Sequence, residues 1–440
     1  MEGRSLAVLA TLDTKAGEAA YLRDAIEKDG RAATVVDVGL GEAPKGLADV
    51  TAQAVASTAG TSVDELRAEG RRDKAMEAMG TGAGKLLLEE HQAGRLAGVV
   101  AVGGNQGTAI ASFAMQALPI GPPKLIVSTV ASGDVRDYVA DSDIVMMFSI
   151  GDLLGGPNPV TRRILDKAAA AVLGMARAEE ASAVADETEA VSVTAFGNTH
   201  QAVVTAMERL ATAGHRVVPF HASGACGSAM ERLVEEGLIE GVLDLTTHEL
   251  LGELFPEDIY TPVRPGRLTA AGRGGIPQVI VPGGLEYFCF GAPETIPSRL
   301  RDRATHYHNP YNTNVRANRE ELWRVGELMA ERLNASHGSV SVLIPTLGWS
   351  EVGSPGGILH DPDANLGLVE ALRERLDPAI SLREVDATIN DDDFARLAAE
   401  TLLELMDAQT YDRQHGSTAA NAGESSTSRI IELRRESNAD

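Results

Sequence analysis

Short apolar runs rich in Val, Ile, Leu and Ala alternate with longer amphipathic stretches along the chain. Leu6 to Thr11, Thr34 to Gly39, Leu96 to Val102, Lys124 to Thr129 and Ile144 to Phe148 read as strands. Glu18 to Lys28, Ala109 to Leu118 and Val160 to Ala178 read as helices, the first capped by Asp13 or Thr14. Gly41 to Gly70 predicts a long loop with a short helix near Thr51 to Ala59. Arg71 to Ala93 predicts a helix interrupted at Gly80-Thr81-Gly82-Ala83-Gly84-Lys85.

After an acidic linker at Glu179 to Glu189 the rhythm restarts. Val191 to Phe196, Arg216 to Phe220, Gly241 to Leu245, Ile276 to Val281, Ser339 to Pro345 and Ile380 to Val385 predict strands. Gln201 to Ala213, Ala229 to Glu236, Glu320 to Asn334, Asn365 to Leu376 and Asp391 to Gln409 predict helices. His306 to Arg316 reads as a polar loop. Alternating strands and helices imply parallel sheets. The expectation is an α/β protein of two Rossmann-like domains, each a mostly parallel sheet flanked by helices. The boundaries are 1–185, 186–412 and a disordered Ser/Thr/Asn/Glu-rich tail at 413–440.

Two strands run into glycine loops. Val99 to Val102 leads into Gly103-Gly104-Asn105-Gln106-Gly107-Thr108, and Val217 to Phe220 leads into His221-Ala222-Ser223-Gly224-Ala225-Cys226-Gly227-Ser228. Glycine admits a close ligand, and a helix start supplies free N–H groups to an anion. Gly103, Gly104, Asn105, Gly107, Thr108, Ser223, Gly224 and Gly227 are therefore candidate ligand contacts. Ser128 and Thr129 join them because ligands gather beyond the carboxyl ends of strands. Gly80 to Lys85 is not a phosphate loop: Met79 stands where the Walker pattern needs glycine, and Leu86 where it needs Ser or Thr.

Charge narrows the partner. With 63 acidic and 39 basic residues the net charge is -24, and no basic stripe suits a nucleic acid. An anionic ligand must be held locally, and Lys15, Arg273 and Arg316 are the cations in suitable loops. Two cysteines, Cys226 and Cys289, fit a reducing cytosol, and neither a signal peptide nor a membrane-spanning run is expected. Cys226 precedes a predicted helix and has His221 and His248 as candidate bases. Asp244 and Glu286 end strands and are the candidates for holding Mg²⁺ beside a phosphate. His306 and His308 allow a metal, but no diagnostic spacing accompanies them.

Several loops together carry a resemblance. They are Thr11-Leu12-Asp13-Thr14-Lys15, Gly103 to Thr108, Asp244-Leu245-Thr246-Thr247-His248-Glu249-Leu250, Ala270 to Val279, His308-Asn309-Pro310, and Pro355-Gly356-Gly357 with Asp361-Pro362-Asp363. In these the chain resembles the uncharacterised family related to the N-terminal part of the tomato mosaic virus resistance protein, the Tm-one-like ATP-binding proteins, over roughly Leu6 to Ala408. The resemblance implies two α/β domains, ATP binding and self-association as a homodimer or higher homo-oligomer. It brings Asp13, Thr14, Lys15, Arg273, Gly283 and Gly284 into the candidate site. The chain departs from the pattern at Cys226 and Ser228, where Gly and Arg are expected, and at Glu286, where Asp is expected. The reading is a nucleotide-binding protein that takes a phosphorylated ligand, with enzymatic use of that ligand left open. The alternative is an enzyme acting on a small organic acid or acyl compound through Cys226, His248 or Glu286. A pure interaction scaffold is the third reading.

Overall fold

The computed structural model describes residues 3–182 and 189–415. The 183–188 stretch of the expected linker and residues 416–440 of the expected tail lie outside the described residues. The chain divides into two compact units. The first comprises Met1–Glu189, Ser223–Leu238 and Phe255–Arg267; the second comprises Ala190–Ala222, Ile239–Leu254 and Leu268–Asp440.

The sheet of the first unit contains β1 (Ser5–Ala10), β2 (Ala33–Asp37), β3 (Leu96–Gly103), β4 (Lys124–Ser128) and β5 (Val145–Phe148). Their order is β2-β1-β3-β4-β5, and every pairing is parallel. Alternate side chains serve opposite faces. Ala7 and Leu9 join one core with Val99, Ala101 and Met79, while Leu6, Val8 and Ala10 join the other with Val100, Leu22 and Leu165. Burial on both faces explains why these strands read as unbroken apolar runs.

The expected break at Gly80 to Lys85 is absent: Arg72–Gln92 is one helix. Its glycines answer to packing. A Cβ at Gly80 would meet the Phe113 side chain, one at Gly82 the Val55 carbonyl, and one at Gly84 would lie 2.8 Å from Ala117 Cβ. The long loop after β2 contains Ala52–Thr58, capped by Thr51, and also Val63–Glu69, which the sequence reading omits. That second helix starts with a reciprocal Ser62–Glu65 capping box.

The second unit contains β6 (Ala190–Ala195), β7 (Val217–His221), β8 (Ile239–Thr246), β9 (Gln278–Gly283), β10 (Tyr287–Phe290), β11 (Thr305–Asn309), β12 (Asn312–Arg316), β13 (Val340–Pro345) and β14 (Ser381–Val385). Its main sheet is parallel, ordered β14-β13-β9-β8-β6-β7. Counted from its own first strand, it repeats the order of the first unit and adds one edge strand. The two sheets with their flanking helices are Rossmann-like, as the alternation of elements implies.

His306 to Arg316 is not a loop: β11 and β12 form a hairpin, and β12 pairs with β10 in a separate antiparallel sheet ordered β10-β12-β11. Thr313 and Val315 are fully buried, and that burial holds a polar-looking sequence in a strand. The second glycine loop is also not a simple strand–loop–helix repeat. β7 belongs to the second unit, whereas Ser223–Leu238 belongs to the first. There the Arg232 guanidinium donates to the Leu118 carbonyl and Arg267 pairs with Glu231.

Candidate ligand site

In open parallel sheets ligands sit beyond the strand carboxyl ends, where the strand order reverses. In the first unit that position lies between β1 and β3. Thr11, at the end of β1, is the N-cap residue of the helix Leu12–Lys28. Its hydroxyl lies 3.0 Å from the Thr14 hydroxyl. Lys15 has non-helical angles, φ -122 and ψ 20, which kink the first turn. Asp13 accepts a hydrogen bond from the Gly41 amide at 3.0 Å. Asp37, which ends β2, accepts from the amides of Leu12 at 3.1 Å and Gly39 at 2.9 Å. Burial raises the pKa of Asp37 above the ordinary carboxylate value, and these two amides only partly offset it.

Gly104, after β3, is the N-cap of the helix Asn105–Gln116, and no side chain caps it. The first-turn amides therefore keep their capacity to bind an acceptor. The glycines have different causes. A Cβ at Gly103 would lie 2.8 Å from the Gly107 backbone, so packing requires glycine there. At Gly104 the nearest atom to a Cβ would be Thr129 Oγ1 at 3.7 Å, and at Gly107 the Val102 carbonyl at 3.7 Å. Neither has a positive φ. Neither packing nor conformation demands glycine at 104 or 107, and its presence leaves the helix start bare. The loop is braced from below. The hydroxyls of Thr108 and Ser128 lie 2.7 Å apart, and Ser128 also accepts from the Val130 amide at 3.1 Å.

A cleft of about 240 Å³ opens here, lined by Thr11, Asp13, Thr14, Gly39, Arg72 and Gln106 among others. The Thr11 and Thr14 hydroxyls, the Arg72 guanidinium and Gln106 from the first turn of the bare helix offer donors suited to an anion, beside the Asp13 carboxylate. Arg72, Gly39 and Gln106 are absent from the sequence candidates. Asp37 had a readable signal, an acidic residue ending the second strand of a βαβ unit. Arg72 had none, because a distant helix brings it in.

The other candidates occupy other settings. Gly224 has φ 89, and a Cβ there would meet the Thr261 carbonyl. Ser228 Oγ donates to the Gly224 carbonyl at 2.8 Å and accepts from the Arg264 amide at 3.2 Å. Conformation and packing thus account for Gly224. Cys226 there is exposed. Arg273 lies on the helix Ala270–Gly274 leading into β9, at the opposite end of that strand from Gly283 and Gly284, and donates to Thr269 Oγ1 at 2.9 Å.

In the second unit the reversal falls between β6 and β8. The Thr199 and Thr246 hydroxyls meet there at 2.9 Å, and the rings of Phe196 and His248 lie 4.8 Å apart. Asp244 accepts from the Thr194 hydroxyl at 2.7 Å. His248 Nδ1 lies 2.7 Å from the Gly284 carbonyl, so that nitrogen carries the proton. Glu286 is fully buried; one carboxyl oxygen accepts from Ser350, and the other has no hydrogen-bond partner. Burial pushes its pKa up to about 7, against the opposing influence of Ser350 and Arg316. Arg316 is an internal brace: it donates to the Glu286 carbonyl, to the Asp361 carbonyl at 2.7 Å and to Asn365 at 2.5 Å.

The uncharacterised protein family UPF0261 matches the chain in two parts, its N-terminal domain over residues 4–181 and its C-terminal domain over residues 188–406. The chain belongs to the UPF0261 family. A UPF0261 protein of Clostridium tetani is 36% identical over 405 residues, covering 92% of this chain and 99% of the relative. One from Rhizobium meliloti is 38% identical over 395 residues, covering 89% and 96%. The ToMV resistance protein Tm-1(GCR237) of Solanum lycopersicum is 35% identical over 320 residues, 70% of this chain but 42% of the tomato protein. The resemblance seen in the loops is thus a family relationship, and the UPF0261 domains cover both sheets. Among the described residues no helix is long and apolar enough to cross a membrane.

Proposed function

We propose that the protein binds a phosphorylated small molecule, with ATP the first ligand to test, in the cleft between β1 and β3. The observation that carries this reading is the bare start of the helix Asn105–Gln116, left open by two glycines that packing does not require. A phosphate would accept from the first-turn amides, and Arg72 would supply the neutralising cation. The cleft of about 240 Å³ suits a phosphate group or two, leaving the rest of a nucleotide to lie over its rim. Asp13 and the Thr14 hydroxyl are the cleft groups that would hold Mg²⁺, an ion that prefers oxygen ligands and retains water. Asp244 and Glu286 belong to the second unit.

A second reading, an enzyme acting on a small organic acid or acyl compound, is favoured by Glu286 alone. A buried carboxyl poised near neutral pH is characteristic of acid–base chemistry. His248 shares its unit, whereas Cys226 lies in the first. We also infer self-association as a homodimer or higher oligomer and a cytosolic setting. The edge strand β5 and the following segment expose Val145, Phe148, Ile150 and Leu154, and both cysteines are free thiols.

Thermal unfolding separates the two readings. A ligand at 100 times its dissociation constant stabilises by about 2.7 kcal/mol. Millimolar ATP–Mg²⁺ should raise the melting temperature, and small carboxylates should not. The reverse pattern would reject the nucleotide reading in favour of the second.

A further inference from the structure

We propose that His306 and His308 form a chelating site for a d-block divalent cation such as Zn²⁺, on the exposed edge of the antiparallel sheet in the second unit. The site is separate from the Mg²⁺–phosphate reading and involves different residues, a different unit and a different class of ion.

The backbone sets up the pair. β11 is an edge strand, and residues two apart in a strand face the same way. The pairing passes from Tyr307↔Thr313 to Asn309↔Asn312, which makes His308 the extra residue of a bulge. Bulges bend a strand and re-aim the side chain they carry. The two imidazole rings lie with centroids 5.9 Å apart, tilted by 51°. Two imidazoles on one tetrahedral Zn²⁺, with Zn–N of about 2.0–2.1 Å, have ring centres about 5 Å apart. Small side-chain rotations close that difference.

The rings are available as ligands. Among the described residues neither the His306 nor the His308 imidazole makes a hydrogen bond or an ion pair, whereas those of His215, His248 and His360 meet Glu240, the Gly284 carbonyl and the Gly353 carbonyl. His306 is half-buried and His308 exposed, so water can complete the coordination shell. Glu351 is the carboxylate whose charge acts on His306. Asn314, opposite His306 in β12, is already committed to Cys289 Sγ and Asn312 Oδ1, each at 3.2 Å. The face therefore presents two imidazoles. That donor set suits Zn²⁺, Cu²⁺ or Ni²⁺ and disfavours Mg²⁺ and Ca²⁺.

The test is calorimetric titration of Zn²⁺ into the full chain, with His306→Ala, His308→Gln and the double variant, each checked for folding by circular dichroism. His360→Ala serves as the control. The site predicts one equivalent of Zn²⁺ in the wild type. Either single substitution weakens it by about tenfold or more, equivalent to about 1.4 kcal/mol. The double variant abolishes it, and His360→Ala leaves it unchanged. No Zn²⁺ uptake by the wild type, or uptake that persists in the folded double variant, overturns the proposal.

Discussion

The two units share a strand order but use its reversal point differently. Between β1 and β3 the strand ends carry Thr11, Asp13, Gly104 and Gly107, and a cleft opens. Between β6 and β8 the same position carries the Thr199–Thr246 hydroxyl pair and the Phe196–His248 ring contact. Topology repeats the position, and the side chains at the strand ends give it a different character in each unit. The second unit instead concentrates its unusual chemistry around Glu286, one strand further along, where a carboxyl is buried with half its hydrogen-bonding capacity unmet.

The largest expected effect tests how tightly that buried carboxyl is enclosed. A Cβ at Gly353 would run into the Glu286 carboxyl. Gly353→Ala should destabilise the protein by about 3 kcal/mol or more in urea denaturation. A cost of a few tenths would mean that the loop after Ser350 moves freely and that Glu286 is less enclosed than described.

Next comes the pH dependence of Glu286. Its folded pKa, about 7, lies above the ordinary glutamate value of 4.5, so the folded state holds the proton more tightly. The associated stability is fully present below pH 4.5 and is lost as the pH rises through 7. The loss should be on the order of 3 kcal/mol. Glu286→Gln, which keeps the shape and cannot ionise, should flatten that part of the stability profile. An unchanged profile would assign the dependence to other groups.

A smaller effect tests the hydroxyl pair between β6 and β8. Thr246→Val should cost about 1–2 kcal/mol through the lost hydroxyl partner of Thr199 and leave ligand binding in the first unit untouched. Altered ATP affinity in this variant would mean that the two reversal points are not independent.

Much of the architecture was readable from the chain because the main strands are buried on both faces. Leu6 to Ala10 and Val99 to Val102 are continuous apolar runs for that reason. Gly80, Gly82 and Gly84 misled, because a glycine needed for close helix packing looks in sequence like one that breaks a helix. The strands β11 and β12 were hidden because only alternate or one-sided burial supports them, and their exposed residues, such as His308 and Tyr307, read as loop. The Ser62–Glu65 capping box is a signal legible in the sequence for the helix Val63–Glu69. At the site, the loop at Gly103 announced itself through its position after a strand, and Asp13 and Thr14 entered through the family resemblance. Arg72 did not, since only the folded chain brings it to the cleft. The second glycine loop looked like a copy of the first, yet Gly224 answers to a positive φ and the Thr261 carbonyl.

The central claim is that the bare helix start at Gly104 receives a phosphate, and Gly104→Asp tests it most directly. The residue has β-region angles, φ -82 and ψ -157, with room for a side chain. An aspartate there would cap the helix, raising stability by a few tenths of a kcal/mol or leaving it unchanged. The same carboxylate would occupy the first-turn amides and repel an anion. Calorimetric titration of ATP–Mg²⁺ into wild type and Gly104→Asp should show binding in the first and none in the second, at equal or higher melting temperature. Equal affinity in the two proteins would contradict the account.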